Sequence, residues 1–170
     1  MKNALLIIDV QKFFINEFTK SIPKKVAYFI ENHKFDFVLF FKFINSKESN
    51  FVKSLNWHKM LNSPDIDIVI ELEKFVTKDN VFTKSAFSAF KSEKFLKFLK
   101  ENKIKKLYIC GFDTDECVLS TAIEAFDLGF DVKVLQDLCA SHHGRKYHNN
   151  AIEILERNAG NLLANSMDFL

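Results

Sequence analysis

The chain has 170 residues, 48% of them hydrophobic and 27% charged, so it is long enough to bury the core of one globular domain spanning residues 1–170. Its 24 basic and 22 acidic residues leave a net charge of +2 without a long block of one sign, which argues against a nucleic-acid-binding surface. No apolar run approaches the ~20 residues needed to cross a bilayer, so we predict no membrane partner.

The number and spacing of the cysteines indicate whether the protein occupies a reducing or an oxidising compartment. Cys110, Cys117 and Cys139 have no C-x-x-C spacing, which predicts neither a disulfide framework nor a zinc site. The N-terminus enters an apolar segment without a signal-peptide cleavage motif. A reducing, cytoplasmic location is the simplest interpretation.

Segments rich in β-branched and aromatic residues alternate with segments of helical period. We predict strands over residues 4–10, 36–43, 81–84, 106–111, 132–136 and 161–164. Most are nearly continuous apolar runs, as expected of strands buried on both faces. This alternation predicts a three-layer α/β/α sandwich around a six-stranded, mostly parallel sheet.

Four helices are predicted between these strands, from apolar residues at helical spacing. One begins near Pro23 and one follows a Ser92 cap, and two others end before Gly129 and Gly160. Residues 45–67 mix polar and isolated apolar positions, and we interpret them as a helix plus a loop over the sheet.

Polar residues at strand ends are the first candidates for a site, because ligands of open α/β sheets bind at the carboxyl ends of the strands. Asp9 ends the first predicted strand and Lys84 the third, and a segment rich in polar residues follows Gly111. Taken singly, Asp9 is equally compatible with a turn cap, and Lys84 with an ordinary surface lysine.

Cys117 follows the fourth strand and opens a helix for which Thr114 is the predicted N-cap. That placement puts the sulfur in the first turn, where the positive helix end favours a thiolate of lowered pKa and free N–H groups can hold an oxyanion. The alternative is a small buried residue. Cys110, inside a strand, and Cys139, in a loop after one, are interpreted as inert packing residues.

Three stretches are informative as a set, although each alone is weak: LIIDVQ at residues 6–11, TKSAF at 83–87 and GFDTDECV at 111–118. In this order they resemble the isochorismatase-like cysteine hydrolases, which include nicotinamidases and carbamoyl-amide hydrolases. DLCAS at 137–141 extends the resemblance over nearly the whole chain.

The resemblance implies a catalytic triad of Asp9, Lys84 and Cys117, and an oxyanion hole formed by the backbone N–H groups of Asp113 and Cys117. It also implies a cis peptide bond between Phe112 and Asp113 and assembly into a homodimer or homotetramer. The expected reaction cleaves a C–N bond of a small amide, carbamoyl or ureido substrate through a thioester acyl-enzyme.

Two departures from the family's better-known branches narrow this expectation. Nicotinamidases carry an Asp-x-His metal-binding pair after the second strand, and FINSK at residues 43–47 offers none, so we predict no metal and no other cofactor. True isochorismatases commonly lack the cysteine. His142, His143 and His148 are interpreted as a solvated loop, because no Cys, Asp or Glu completes a convincing ligand set.

Aromatic residues near the strand ends are candidates for a pocket around a planar substrate. We expect Phe13, Phe14, Trp57 and Phe87 to line it, with His58 either lining the pocket or packing on Trp57. The open alternatives are a redox-sensing or non-catalytic thiol protein, a nicotinamidase or isochorismatase proper, and a pseudoenzyme acting as an assembly partner.

Overall fold

A computed structural model describes residues 1–169 and contains one six-stranded sheet in the order β3-β2-β1-β4-β5-β6. The strands are β1 Lys2–Ile8, β2 Phe37–Phe43, β3 Val81–Lys84, β4 Ile104–Gly111, β5 Asp131–Cys139 and β6 Leu163–Ala164. Each neighbouring pair is parallel. The predicted α/β sheet is confirmed, and Cys139 is corrected: it is the last residue of β5, because that strand continues three residues beyond the predicted end.

The helices are α1 Ile22–Asn32, α2 Asn50–Leu55, α3 Ile70–Glu73, α4 Glu93–Asn102, α5 Leu119–Asp127 and α6 Arg145–Ala159. The four longer ones lie where the apolar spacing predicts them. In the segment 45–67, α2 begins after Ser49, whose hydroxyl caps the helix by accepting the N–H of Val52. Ser92 occupies the N-cap position of α4, but its side chain makes no capping hydrogen bond.

Burial explains why the strands are nearly all apolar. Residues 4–8 of β1 are at most 1% exposed, since β2 and β4 flank them and helices cover the sheet. α1 contacts α3, whereas α5 contacts α6, which gives the two groups of helices expected on opposite faces. Among the residues that the structure describes, no helix has the length and apolarity of a membrane span.

The strand order places a crevice at the centre of the sheet. The chain moves outward from β1 through β2 to β3, and then returns to the other side of β1 for β4, β5 and β6. Connections therefore diverge between β1 and β4, and at such a switch point the carboxyl ends of the strands leave room for a ligand.

Candidate functional site

Asp9 follows the last residue of β1 directly, at this crevice. Its backbone is in the left-handed region, with φ 49°, which is uncommon for a residue with a side chain. Its backbone N–H donates to the Phe41 carbonyl of β2 at 3.2 Å, and its side chain is fully buried. A carboxylate in that position requires a charged or hydrogen-bonding partner.

Lys84, at the end of β3, is that partner. Its Nζ lies 2.6 Å from Asp9 Oδ2 and 3.2 Å from Cys117 Sγ, and it donates to the Ala86 carbonyl at 3.0 Å. Lys84 is only 4% exposed, so it is not one of the surface lysines. Apart from Lys84 and the neighbouring Cys117 thiol, the Asp9 oxygens have no hydrogen-bond partner among residues 1–169.

Gly111 brings the third element of the site close to β1. An added Cβ at this residue would lie 2.2 Å from the Ile8 carbonyl oxygen, and its φ of 115° is unfavourable for other residues. The peptide bond between Phe112 and Asp113 that follows is cis, as the resemblance implies. The backbone then turns into the helical segment that carries Cys117.

That segment, Thr114–Val118, is a π-helical turn leading into α5. Asp113, not the predicted Thr114, is its N-cap, because the chain leaves the extended conformation one residue earlier. The Asp113 carbonyl accepts the N–H groups of Glu116 at 3.2 Å and Val118 at 3.0 Å, and so skips that of Cys117. Cys117 lies in the first turn, as predicted.

The electrostatics of the thiol differ from the prediction. Burial raises the pKa of Cys117 well above its usual value, and Asp9 adds to this effect, whereas the Lys84 charge opposes it. The predicted lowered pKa is therefore wrong for the resting protein: the helix terminus does not compensate for a sulfur that is 6% exposed.

The two partners of the thiol also have shifted pKa values. Burial raises the pKa of Asp9, although Lys84 lowers it, so the carboxylate holds a proton more readily than an exposed one. Burial lowers the pKa of Lys84, but the charges of Asp9 and Cys117 more than compensate and keep it above its usual value. Lys84 is thus a permanent cation between two groups that can exchange a proton.

Cys117 opens into a cavity of about 210 Å³. The residues lining it are Phe14, Phe43, Phe51, Leu55, Trp57, Phe87, Glu116, Cys117, His142 and His143. Three of the four predicted pocket residues are among them. Phe13 is not: its ring packs edge-on against Phe14 at 5.2 Å and Trp57 at 5.8 Å between ring centroids, and so supports the wall from outside.

The remaining lining residues were missed from the sequence. Phe43 ends β2 beside β1, and the strand-end rule that selected Asp9 and Lys84 would have found it. Phe51 and Leu55 come from α2, for which no motif was available. His58 does not line the cavity: it is exposed and bonded to Asn56 Oδ1 at 2.9 Å.

The histidine loop after β5 is not simply solvated, which corrects the prediction. His142 donates its backbone N–H to Asp113 Oδ1 at 2.8 Å, and its Nδ1 pairs with Asp113 Oδ2. His143 Nε2 lies 3.5 Å from Glu116 Oε1. His148 lies in α6 and not in the loop, and its Nδ1 contacts the Thr114 hydroxyl at 2.8 Å. The acidic partners, Asp113 and Glu116, come from the turn between β4 and α5, which is distant in sequence.

The segment after β2, where nicotinamidases carry a metal-binding pair, has a structural role here. The Asn45 amide nitrogen donates to the carbonyls of Trp57 and Lys59, both at 3.0 Å. Its oxygen accepts the Ser46 N–H at 2.9 Å and the Ser49 hydroxyl. Both ends of the amide are committed to this loop, so the residues at this position do not fit a metal ion.

The other two thiols lie away from the cavity. Cys110 is fully buried in β4, and burial raises the pKa of Cys139 to about 12. The Cys139 thiol donates to the Leu135 carbonyl at 3.3 Å. Both behave as packing residues.

Comparisons with known proteins place these observations in a family. A model of the isochorismatase domain matches residues 3–166. An isochorismatase-like hydrolase from Alkaliphilus metalliredigens is 21% identical and superposes with a TM-score of 0.84 over 99% of this chain and 97% of that one, which is a likeness of fold.

The nicotinamidase PncA of Bacillus subtilis is 27% identical, with a TM-score of 0.76 over 96% of this chain and 99% of that chain. Isochorismatase domain-containing protein 2 of Xenopus laevis is 33% identical over 60 residues, which are 35% of this chain and 29% of that protein. The matched segment therefore spans less than a third of that relative.

Proposed function

This chain is a hydrolase of the isochorismatase family, and we propose that it cleaves a C–N bond of a small amide, carbamoyl or ureido substrate through Cys117. In this proposal Asp9 is the general base, Lys84 the electrostatic partner, and the backbone N–H groups of Asp113 and Cys117 form the oxyanion hole. Similarity to a nicotinamidase of 27% identity supports amide-type chemistry.

One observation carries the proposal: a buried ammonium bridges a carboxylate and a thiol, directly behind the cavity into which the thiol opens. Lys84 Nζ contacts Asp9 Oδ2 at 2.6 Å and Cys117 Sγ at 3.2 Å. Burying two charged groups costs several kcal/mol per ion unless they are well paired, so such a site needs a use that offsets its cost. Holding a thiolate during a reaction is such a use.

The raised pKa values suggest when the sulfur ionises. In the resting protein Cys117 keeps its proton, and the Asp9 carboxylate, whose own pKa burial raises, is a strong acceptor beside it. When the sulfur attacks a carbonyl carbon, its proton moves to Asp9, and Lys84 stabilises the negative charge that develops. The sulfur becomes strongly nucleophilic only when substrate is present.

The tetrahedral intermediate then needs two further groups. Its oxyanion faces the first turn of the helical segment, where the Asp113 carbonyl accepts the N–H groups of Glu116 and Val118 and not that of Cys117. Asp9 transfers its proton to the departing nitrogen as the C–N bond breaks and a thioester forms. Water, deprotonated by Asp9, then attacks the thioester and restores the thiol.

The cavity supports a small substrate with an apolar or planar body. Five of its ten lining residues are aromatic, and the volume of about 210 Å³ matches a small molecule. Glu116, His142 and His143 add polar groups to one wall, where they contribute to specificity.

Ammonia release from a panel of carboxamides, including nicotinamide, and of carbamoyl and ureido compounds tests the proposal. We expect turnover by the native protein, a loss of at least about 10³-fold in Cys117→Ala, and native rates in the matched control Cys139→Ala. Mass spectrometry of rapidly quenched protein should detect an acyl group on Cys117. Turnover that survives in Cys117→Ala would overturn the assignment.

The redox-sensing alternative is disfavoured by the same electrostatics. Sensor thiols are accessible and of low pKa, whereas burial raises the pKa of Cys117. If Cys117 oxidises with dilute peroxide as fast as an exposed thiolate, and no compound of the panel is hydrolysed, the sensor is the correct interpretation.

A further inference from the structure

We propose that Asp113, His142 and His143 form a binding site for one divalent transition-metal ion of the zinc class, on the wall of the cavity that contains Cys117. One potential ligand atom of each residue lies within 4.8 Å of the others. The proposed site differs from the metal-binding pair that nicotinamidases carry after the second strand, because this chain has Asn45 in that segment. It does not depend on the proposed reaction.

Hydrogen bonds hold the Asp113 side chain and the backbone of the two histidines in place. Asp113 is 1% exposed, and its Oδ1 accepts the backbone N–H of His142. The His142 carbonyl in turn accepts from Asn16 Nδ2 at 2.6 Å. The His143 N–H donates to the Ser141 hydroxyl at 3.2 Å. Binding of an ion therefore requires little further ordering of this part of the backbone.

The donor set suits a transition metal better than calcium or magnesium. Two imidazoles and one carboxylate are a frequent zinc-binding combination, whereas hard cations prefer oxygen ligands throughout. The two imidazole rings are 3.9 Å apart between centroids, so modest side-chain rotation brings both to one ion. Ion binding would displace the proton shared by His142 Nδ1 and Asp113 Oδ2 and release it to solvent.

The charge of this wall also favours a cation. Asp113, Asp115 and Glu116 follow one another within four residues of the nucleophile turn, and Glu116 Oε1 is 3.5 Å from His143 Nε2. The nearby ammonium of Lys84 is already paired with Asp9. A divalent ion held by the two imidazoles and Asp113 would offset the negative charge of these carboxylates.

Access is available, because His142, His143 and Glu116 line the same cavity as Cys117. An ion from solvent can therefore reach the site without unfolding of the chain. It would also alter the approach of small reagents to the sulfur.

Isothermal titration of chelator-treated protein with zinc chloride tests the site. We expect one ion per chain, and a fall in affinity of at least about tenfold in His142→Gln and in His143→Gln. His58→Gln, an exposed histidine outside the cluster, is the matched control and should keep the native affinity. Circular dichroism of each metal-free variant checks that it is folded.

Cobalt substitution identifies the ligands independently of turnover. Nitrogen and oxygen ligands give visible d–d bands without the near-ultraviolet sulfur charge-transfer band that a Cys117 ligand would produce. Saturation in Cys117→Ser should equal that of the native protein. Binding that persists in both histidine variants, that disappears in Cys117→Ser, or that never reaches one ion per chain would overturn the proposal, whether or not the protein hydrolyses an amide.

Discussion

The floor and the mouth of the cavity are built in different ways. Asp9, Lys84 and Cys117, which we call the floor, are 0%, 4% and 6% exposed. Cys117 lines the cavity, and Asp9 and Lys84 lie behind it at the ends of β1 and β3. Leu55 and Phe87, at the mouth, are 64% and 39% exposed and come from α2 and the turn after β3. In the proposed function, the chemistry depends on the buried floor and the specificity on the part that solvent reaches.

Removing the Lys84 charge is the most damaging change that we predict. Lys84→Met leaves the Asp9 carboxylate buried without a counter-ion, so we expect a loss of about 3–5 kcal/mol in the free energy of unfolding, measured by urea denaturation. Activity should fall at least about 10³-fold.

The double variant Asp9→Asn/Lys84→Met separates these two effects. It removes both charges, and should recover most of the stability but none of the activity. Recovery of activity would show that the ion pair is structural only.

Gly111→Ala tests whether the close approach of the Gly111 and Ile8 backbones is needed for the floor to form. The new Cβ would lie 2.2 Å from the Ile8 carbonyl oxygen, and we expect a loss of about 3 kcal/mol or more, or insoluble protein. Gly129→Ala is the matched control, since Gly129 also has a positive φ but no neighbour within 4 Å of the added carbon. It should lose about 1 kcal/mol. Equal losses in the two variants would mean that φ alone, not contact, governs this position.

The pH dependence of Cys117 alkylation by iodoacetamide measures how strongly burial raises the pKa of this thiol. Only the thiolate reacts, and burial raises the pKa of this thiol, so the rate should still be rising with pH at and above pH 9. Because the Lys84 charge opposes this rise in pKa, Lys84→Met should shift the curve to still higher pH. Mass spectrometry of the labelled peptide distinguishes Cys117 from the other thiols. A rate that levels off near pH 7 would contradict the protonated resting state.

Changes at the mouth should have the smallest effects. In Leu55→Ala and Phe87→Ala we expect the KM for a turned-over amide to rise about 5- to 30-fold, equivalent to about 1–2 kcal/mol of lost apolar contact. We expect kcat and the free energy of unfolding to change little, since both side chains are partly exposed. A fall in kcat as large as that of Lys84→Met would remove the distinction between floor and mouth.

Much of the floor was predictable because strands can be identified from short stretches of the sequence. The apolar run before Asp9 and the short strand before Lys84 indicate parallel strands, and their carboxyl ends meet at one edge of the sheet. The loop after β5 has no such pattern. His142 meets Asp113 only because β4 and β5 are neighbours, which brings together residues 29 positions apart.

By itself, the sequence determined the fold class and the order of the elements, because hydrophobic periodicity is a local property. Strand-end chemistry made Asp9 and Lys84 candidates, and the resemblance to isochorismatase-like hydrolases joined them with Cys117. Only the tertiary structure decided the protonation state of Cys117, the aromatic mouth and the Asp113–His142–His143 cluster. Each of these depends on burial or on contacts between distant segments. A helix terminus favours a thiolate, but burial favours the thiol, and which effect prevails is set by the packing of the whole domain.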